Sequence, residues 1–155
     1  METRTPRTEH VTSNSVSASP TLLLTEAKDV FLIRDTWNTD AIDELRPQPE
    51  DVVLYKHRFS GFYQTELDDV LRGLGIRDLI FTGCTTSVCV DSTIRDAMFR
   101  DYRCVLLADC VGEPIGCELR RSNHEASLLV TQTLFGWVSH SDKFIAAIER
   151  RTERA

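Results

Sequence analysis

Beyond residue 50 the apolar and polar positions fall into alternating blocks of strand and helix periodicity. DVVLYK, residues 51–56, is a β-branched and aromatic run after a turn and predicts a strand. TELDDVLRGLG then sets Leu67, Val70, Leu71 and Leu74 at helical spacing, with Gly75 just past the end as a stop. DLIFTG predicts a second buried strand. SVCVDSTIRDAMFRDY predicts a second helix, because Val90, Ile94, Ala97 and Met98 share one face and Asp91/Arg95 and Asp96/Arg100 pair at i, i+4. RCVLLADC is a third strand. SNHEASLLVTQTLFG opens with Ser122 and Glu125 in capping-box register and predicts a third helix ending near Gly136. WVSH then predicts a fourth strand and DKFIAAIERR a closing helix.

The pattern before residue 50 is less regular. Short apolar runs at residues 22–24 and 30–33 suit either a strand or a helical turn, and AIDEL predicts a brief helical turn stopped by Pro47 and Pro49. Residues 1–20 are crowded with serine and threonine and broken by Pro6 and Pro20, which predicts a disordered tail and leaves residues 21–155 as the folded domain. Strands alternating with helices predict an α/β fold, a mainly parallel sheet with helices on both faces. Active sites in such folds gather at the carboxyl ends of the strands, here the loops after Lys56, Gly83 and Asp109.

The segment FTGCTTSVCV carries the main candidate. It ends a strand at Gly83 and puts Cys89 in the first turn of the following helix. Unpaired N–H groups and the positive end of the helix dipole favour a thiolate there, and the same N–H groups suit the oxyanion formed when sulfur attacks a carbonyl. Lys56, at the end of the preceding strand, is expected at the same sheet edge, where its ammonium would favour the thiolate further. Phe59, Phe62 and Tyr63 suit a pocket wall, though aromatic residues so close together also suit a core. A rival arrangement pairs Cys89 with His124, oriented by Asn123 or Asp109; His124 stands in the first turn of its own helix, where a capping or surface role fits better. His57 is expected on the opposite side of its strand from Lys56, in a structural role.

Composition narrows the classes. A chain of 155 residues that is 41% hydrophobic suits a single core, and a net charge of −6 argues against nucleic acid as a partner. Neither a membrane-length apolar window nor the apolar core of a secretory signal is visible, so a soluble, cytoplasmic protein is expected. Five cysteines without a C-x-x-C pair favour reduced thiols over disulfides or structural zinc. No metal and no cofactor are expected, since paired histidines and a glycine-rich phosphate cradle are both missing from the pattern.

The stretch from TWNTD through KHRFSGFY and FTGCTTSVCVDSTIRDA to SNHEAS and LFGWVS, about residues 31–148, resembles the isochorismatase-like cysteine hydrolases, and within them the ureidoacrylate amidohydrolase branch. The spacing from Lys56 to Cys89 is the one that family uses. The resemblance implies a three-layer α/β fold, a Cys-Lys-Asp triad without an obligatory metal, a non-proline cis peptide near Cys84 and Thr85, and a tendency to form homo-oligomers. It makes Cys89 the nucleophile, Lys56 the stabiliser of thiolate and oxyanion, and the N–H groups of Thr85 and Cys89 the oxyanion hole. Asn38 and Gln132 become candidates on the substrate side, beside Phe59, Phe62 and Tyr63. The implied activity is cysteine-dependent hydrolysis of a small ureido acid such as ureidoacrylate, in pyrimidine degradation. The family's aspartate-bearing first strand is not found in residues 1–30, so the N-terminal strands are expected to be incomplete; Glu26, in TLLLTEAKDVFL, falls nearest the aspartate position as a replacement base. Without a carboxylate the chain would be a non-catalytic homologue, acting as a binding or oligomer-forming subunit.

Overall fold

The computed structural model describes residues 39–117, 120 and 122–152, and it divides into two compact units between Leu67 and Asp68. In the first unit, AIDEL forms one 3-10 turn, Asp43–Leu45, closed by Leu45 N–H on the Ile42 carbonyl at 2.9 Å. The proline-bearing loop after it is pinned by Asp51, whose carboxylate accepts the Gln48 N–H at 2.8 Å while its own N–H reaches the Gln48 carbonyl at 3.0 Å.

Residues 52–56 correct one expectation. They keep the strand's alternation, with Val53, Tyr55 and His57 exposed and Val52, Leu54 and Lys56 turned inward, but they do not enter a β-ladder. Periodicity specifies which side chains face inward; a strand also needs a neighbour in register to receive its N–H and C=O groups. The sheet among the described residues is built wholly from the second unit.

That sheet has three parallel strands in the order β1 (Asp78–Cys84), β2 (Arg103–Gly112), β3 (Trp137–Ser139). The helices are α1 (Leu67–Gly73), α2 (Asp91–Met98), α3 (Asn123–Val130) and α4 (Ser141–Thr152). Parallel pairing demands a crossover between successive strands; α2 supplies it from β1 to β2 and α3 from β2 to β3. Burial on α2 follows the predicted face through Val90, Ile94 and Ala97, while Met98 is half-buried. These meet Cys104, Leu106 and Leu107 of β2 in the core, where each fully buried large aliphatic side chain contributes about 1.5–3 kcal/mol.

Helix ends follow the sequence signals. Gly75, at φ 69°, closes α1 with its N–H on the Arg72 carbonyl and the Ile76 N–H on the Leu71 carbonyl, a Schellman pair. Leu74, predicted on the apolar face, is instead exposed, because it sits at the cap where the helix has already ended. Ser122 accepts the Glu125 N–H at 3.1 Å and caps α3 as its register predicted. No described helix is long and apolar enough to cross a membrane.

Near the carboxyl end of the sheet, pairing slips. Phe81 pairs with Leu106 but Gly83 pairs with Val111, so β2 bulges away between those points before rejoining β1 at Cys84 and Gly112. The bulge lies beside the turn that carries Cys89.

Candidate active site

β1 ends at Cys84, the Cys84–Thr85 peptide is cis, and the chain then winds into a π-helical turn, Thr86–Val90, which runs on into α2. The carbonyl of Thr85 organises the turn by accepting the N–H groups of Val88 and Val90, both at 3.1 Å. Cys89 is the fourth residue of this turn and is partly buried, neither sealed in the core like Cys104 nor fully exposed like Cys84. Its carbonyl accepts the Thr93 hydroxyl at 2.6 Å, which joins the turn to the first turn of α2. The cis peptide lies where the family resemblance put it, and Thr85 and Cys89, the expected oxyanion-hole residues, bracket the turn.

Two residues that the sequence did not single out tie this turn to the rest of the unit. Thr86, only 1% exposed, donates its hydroxyl to the Gly112 carbonyl at 3.0 Å, and the same oxygen lies 3.1 Å from Nδ1 of His124. Glu113 accepts the Ser87 N–H at 2.7 Å with one carboxylate oxygen and the Ile115 N–H at 3.0 Å with the other. Burial acts to raise the Glu113 carboxyl, but the bonds from Ser87 and Ile115 and the nearby His124 outweigh it and hold the carboxyl below its ordinary range. No short-range pattern in the sequence marks Glu113 as a partner of this turn, because the two segments meet only through the fold.

The rival arrangement around His124 is not assembled among the described residues. His124 meets Thr86 through Nδ1, the Asn123 amide donates to the Ile115 carbonyl at 3.0 Å, and Asp109 is engaged at the start of α4. There one Asp109 oxygen accepts the Ser141 N–H at 2.8 Å and the other the Ser141 hydroxyl, with His140 at 3.8 Å. The Ser141 bonds, and to a lesser degree His140, hold the Asp109 carboxyl below its usual range. Asp109 therefore acts as a helix-terminus acceptor, a role that a carboxylate fills well.

In the first unit Lys56 is buried, at 6% exposure, and its ammonium donates to the carbonyls of Arg58 at 3.1 Å and Phe59 at 3.0 Å. The loop after it thus folds back around the amine, and Ser60 tightens it by accepting the Phe62 N–H at 3.1 Å. Phe62 is buried, whereas Phe59 and Tyr63 are exposed. His57 faces out, opposite Lys56, and lines an open concavity with Val53, Tyr55, Gln64 and Glu66. In the second unit Gln132 is exposed, and its side-chain oxygen accepts the Val138 N–H at 2.7 Å, which ties the end of the third helical segment to β3. Glu26 and Asn38 lie outside the described residues. Among the described residues no group of three or more His, Cys, Asp or Glu side chains is placed to hold a metal ion.

Known proteins resemble the chain in sequence and in fold. The chain is 44% identical over 124 residues to the ureidoacrylate amidohydrolase RutB of Pantoea ananatis, a match that covers 80% of this chain and 48% of that one. Thus the chain spans about half the length of the relatives it matches. Among solved structures, an isochorismatase-like hydrolase from Alkaliphilus metalliredigens superposes with a TM-score of 0.73 at 30% identity, over 89% of this chain and 69% of the other. An N-carbamoylsarcosine amidase from Thermoplasma acidophilum does so with a TM-score of 0.61 at 34% identity, over 70% and 58%. The Isochorismatase domain model matches residues 3–143, starting within the stretch that the composition assigned to a tail. On that match, and on the parallel α/β sheet it accompanies, the chain belongs to the Isochorismatase domain family.

Proposed function

We propose that the chain is a cysteine-dependent amidohydrolase of a small ureido acid, ureidoacrylate being the leading candidate, with Cys89 as its nucleophile. The observation that carries this reading is the partly buried Cys89 in a turn directly after a parallel strand, in a chain 44% identical over 124 residues to a protein named ureidoacrylate amidohydrolase. A thiol in that position meets the backbone donors that acyl-transfer chemistry uses.

In the proposed reaction the Cys89 sulfur bonds to the carbamoyl carbon, and the carbonyl oxygen becomes an oxyanion held by the N–H groups of Thr85 and Cys89. The C–N bond to the acrylate side breaks, and that amine leaves with a proton. A carbamoyl thioester remains on Cys89. Water then attacks the thioester, restores the thiol and releases carbamate, which decays to ammonia and carbon dioxide. Lys56 stabilises the anionic sulfur and the oxyanion, and its buried amine with two carbonyl acceptors is a held group rather than a loose surface lysine. The leaving amine and the attacking water both need an acid-base carboxylate, worth about 10² to 10⁴-fold, and Glu26 is the proposed donor. Asn38, Phe59, Phe62, Tyr63 and Gln132 are the proposed substrate-side residues. A place in pyrimidine degradation, a cytoplasmic location and homo-oligomeric assembly belong to the same reading.

The test is ammonia release from ureidoacrylate by the purified chain and by Cys89→Ala. Release by the parent and its loss in the variant are expected; release that survives Cys89→Ala overturns the assignment. An inactive parent whose Cys89 is alkylated no faster than a free thiol favours the binding-subunit reading instead.

A further inference from the structure

The turn that carries Cys89 is held from outside by three hydrogen bonds, and their chemistry fixes more than the distances alone. Thr86 Oγ1 lies 3.0 Å from the Gly112 carbonyl and 3.1 Å from His124 Nδ1. A hydroxyl has one proton, and a carbonyl oxygen can only accept. The Thr86 proton therefore goes to Gly112, and Oγ1 turns a lone pair towards His124. Nδ1 must then carry the hydrogen, which assigns the Nδ1–H tautomer whenever the ring is neutral. Thr86 is 1% exposed, so water cannot replace either partner without opening the core. One residue on, the Ser87 N–H is taken by the Glu113 carboxylate, whose second oxygen is held by Ile115. Glu113 follows β2 directly, and His124 lies in the first turn of α3.

We propose that Glu113 and His124 are positioning residues for the nucleophile, clamping the Thr86–Val90 turn from the end of β2 and the start of α3 and so fixing where Cys89 and its neighbouring N–H groups stand. The clamp adds to a short stretch of ladder: after the slip between Phe81 and Gly83, β1 pairs with β2 only at Gly83–Val111 and Cys84–Gly112 before the turn begins. The inference rests on Cys89 as the reactive thiol. It adds that Glu113 and His124 shape the site from a distance: loosening either anchor displaces oxyanion donors by a fraction of an ångström and lowers the rate while the sulfur itself remains.

His124→Phe, His124→Asn and Glu113→Ala test this. An asparagine amide can place an N–H where Nδ1–H stands; phenylalanine cannot. Two readouts are taken on the full chain: turnover of ureidoacrylate per titratable Cys89, and the rate at which iodoacetamide alkylates Cys89, relative to free glutathione in the same tube. His124→Phe and Glu113→Ala are expected to lower kcat per titratable Cys89 by about tenfold to a hundredfold with KM within about threefold, and to lower the relative alkylation rate at least threefold. His124→Asn should recover most of both. A residue that only stabilised the fold would reduce the number of titratable sites and leave kcat per site unchanged. Unchanged kcat per site and alkylation in His124→Phe, or no difference between His124→Phe and His124→Asn, overturns the clamp. Cys89→Ala in the same series separates the two ideas: turnover that survives it removes the assigned nucleophile, and the alkylation readout still decides the clamp, since it needs no turnover.

Discussion

Cys89 and Cys104 carry the same thiol into opposite surroundings. Cys89 lies in the turn that leads into α2, partly buried, between Val88 and Val90 on the backbone. Cys104 lies one helix further on, in β2, 1% exposed, with its Sγ 3.6 Å from the Tyr102 carbonyl and 4.0 Å from that of Ile94. Burial alone pushes the Cys104 thiol up to about 11, so it stays neutral and unreactive at physiological pH. Fold position therefore sets how far each sulfur is withdrawn from solvent: the strand interior seals Cys104, while the turn after a strand leaves Cys89 only partly buried.

The largest expected effect breaks the pair by exchanging sulfur for oxygen. Cys89→Ser should cost about 10³-fold or more in kcat and leave stability within about 0.5 kcal/mol, since the residue lies outside the buried core and a hydroxyl is a far weaker nucleophile. Cys104→Ser should do the reverse: kcat per folded molecule is retained, and unfolding in urea shows a loss of about 1–3 kcal/mol, because the shorter hydroxyl reaches neither carbonyl well. Loss of turnover in Cys104→Ser at full folding would erase the contrast.

Next in size is the wall around Cys104. Gly136 has an extended backbone, φ 171°, so conformational freedom does not require glycine there. Space does: a Cβ at Gly136 would stand 2.4 Å from the Cys104 carbonyl oxygen and 2.9 Å from its Cβ. Gly136→Ala should therefore cost about 3 kcal/mol, read from the urea midpoint. Gly112→Ala, at the site end of the same strand, meets only Cys84 Cβ at 3.9 Å and should stay within about 0.5 kcal/mol. Equal costs at the two glycines would show that β2 is no more tightly packed at Cys104 than at its open end.

The same divide marks what the sequence made legible. The face of α2, the Ser122 cap, the Gly75 stop and the three strands of the second unit were readable because each depends on residues a few positions apart. The position of Cys89 in a turn directly after a strand was readable for the same reason, since strand and turn are contiguous. The clamp was not. Thr86 reaches Gly112 across 26 positions and His124 across 38, and nothing in a single sequence says which distant carboxylate or imidazole returns to a given turn. The strand expected at residues 51–56 failed in the same way: its alternation is present, but a ladder is a property of two segments.

Alkaline pH sharpens the comparison at a smaller scale. The ordinary thiol ionises near 9.0 and the folded Cys104 near 11, so above pH 9 the unfolded chain sheds a proton that the folded chain keeps. Stability should be full below pH 9 and fall by about 2–3 kcal/mol as the pH rises to 11. Tyr102, raised from 10.0 to about 12 by burial and by its hydrogen bond to Asp68, adds a decline of the same sign between pH 10 and 12. Cys104→Ala should flatten the urea-midpoint profile between pH 9 and 10, where Tyr102 has not begun to contribute. A decline as steep as the parent's in Cys104→Ala would show that the buried thiol is not its source.

The smallest effect concerns the piece that joins the two sulfurs. The turn that follows α2 closes at Asp101, φ 66°, whose N–H reaches the Met98 carbonyl at 3.0 Å while the Tyr102 N–H reaches the Ala97 carbonyl at 3.1 Å. This is the geometry that closes α1 at Gly75, but here a side chain occupies the left-handed position and adds a negative charge at a helix C-terminus. Asp101→Gly removes both penalties, although glycine costs more backbone entropy on folding. The net should be a gain of about 0.5 kcal/mol in the urea midpoint. Because the cap sets how the chain re-enters β2, and the nucleophile turn is held from the other ends of β2 and α3, the ratio of Cys89 to Cys104 alkylation in the native state should not move. A changed ratio would mean that the α2 terminus, rather than Glu113 and His124, sets the position of the reactive sulfur.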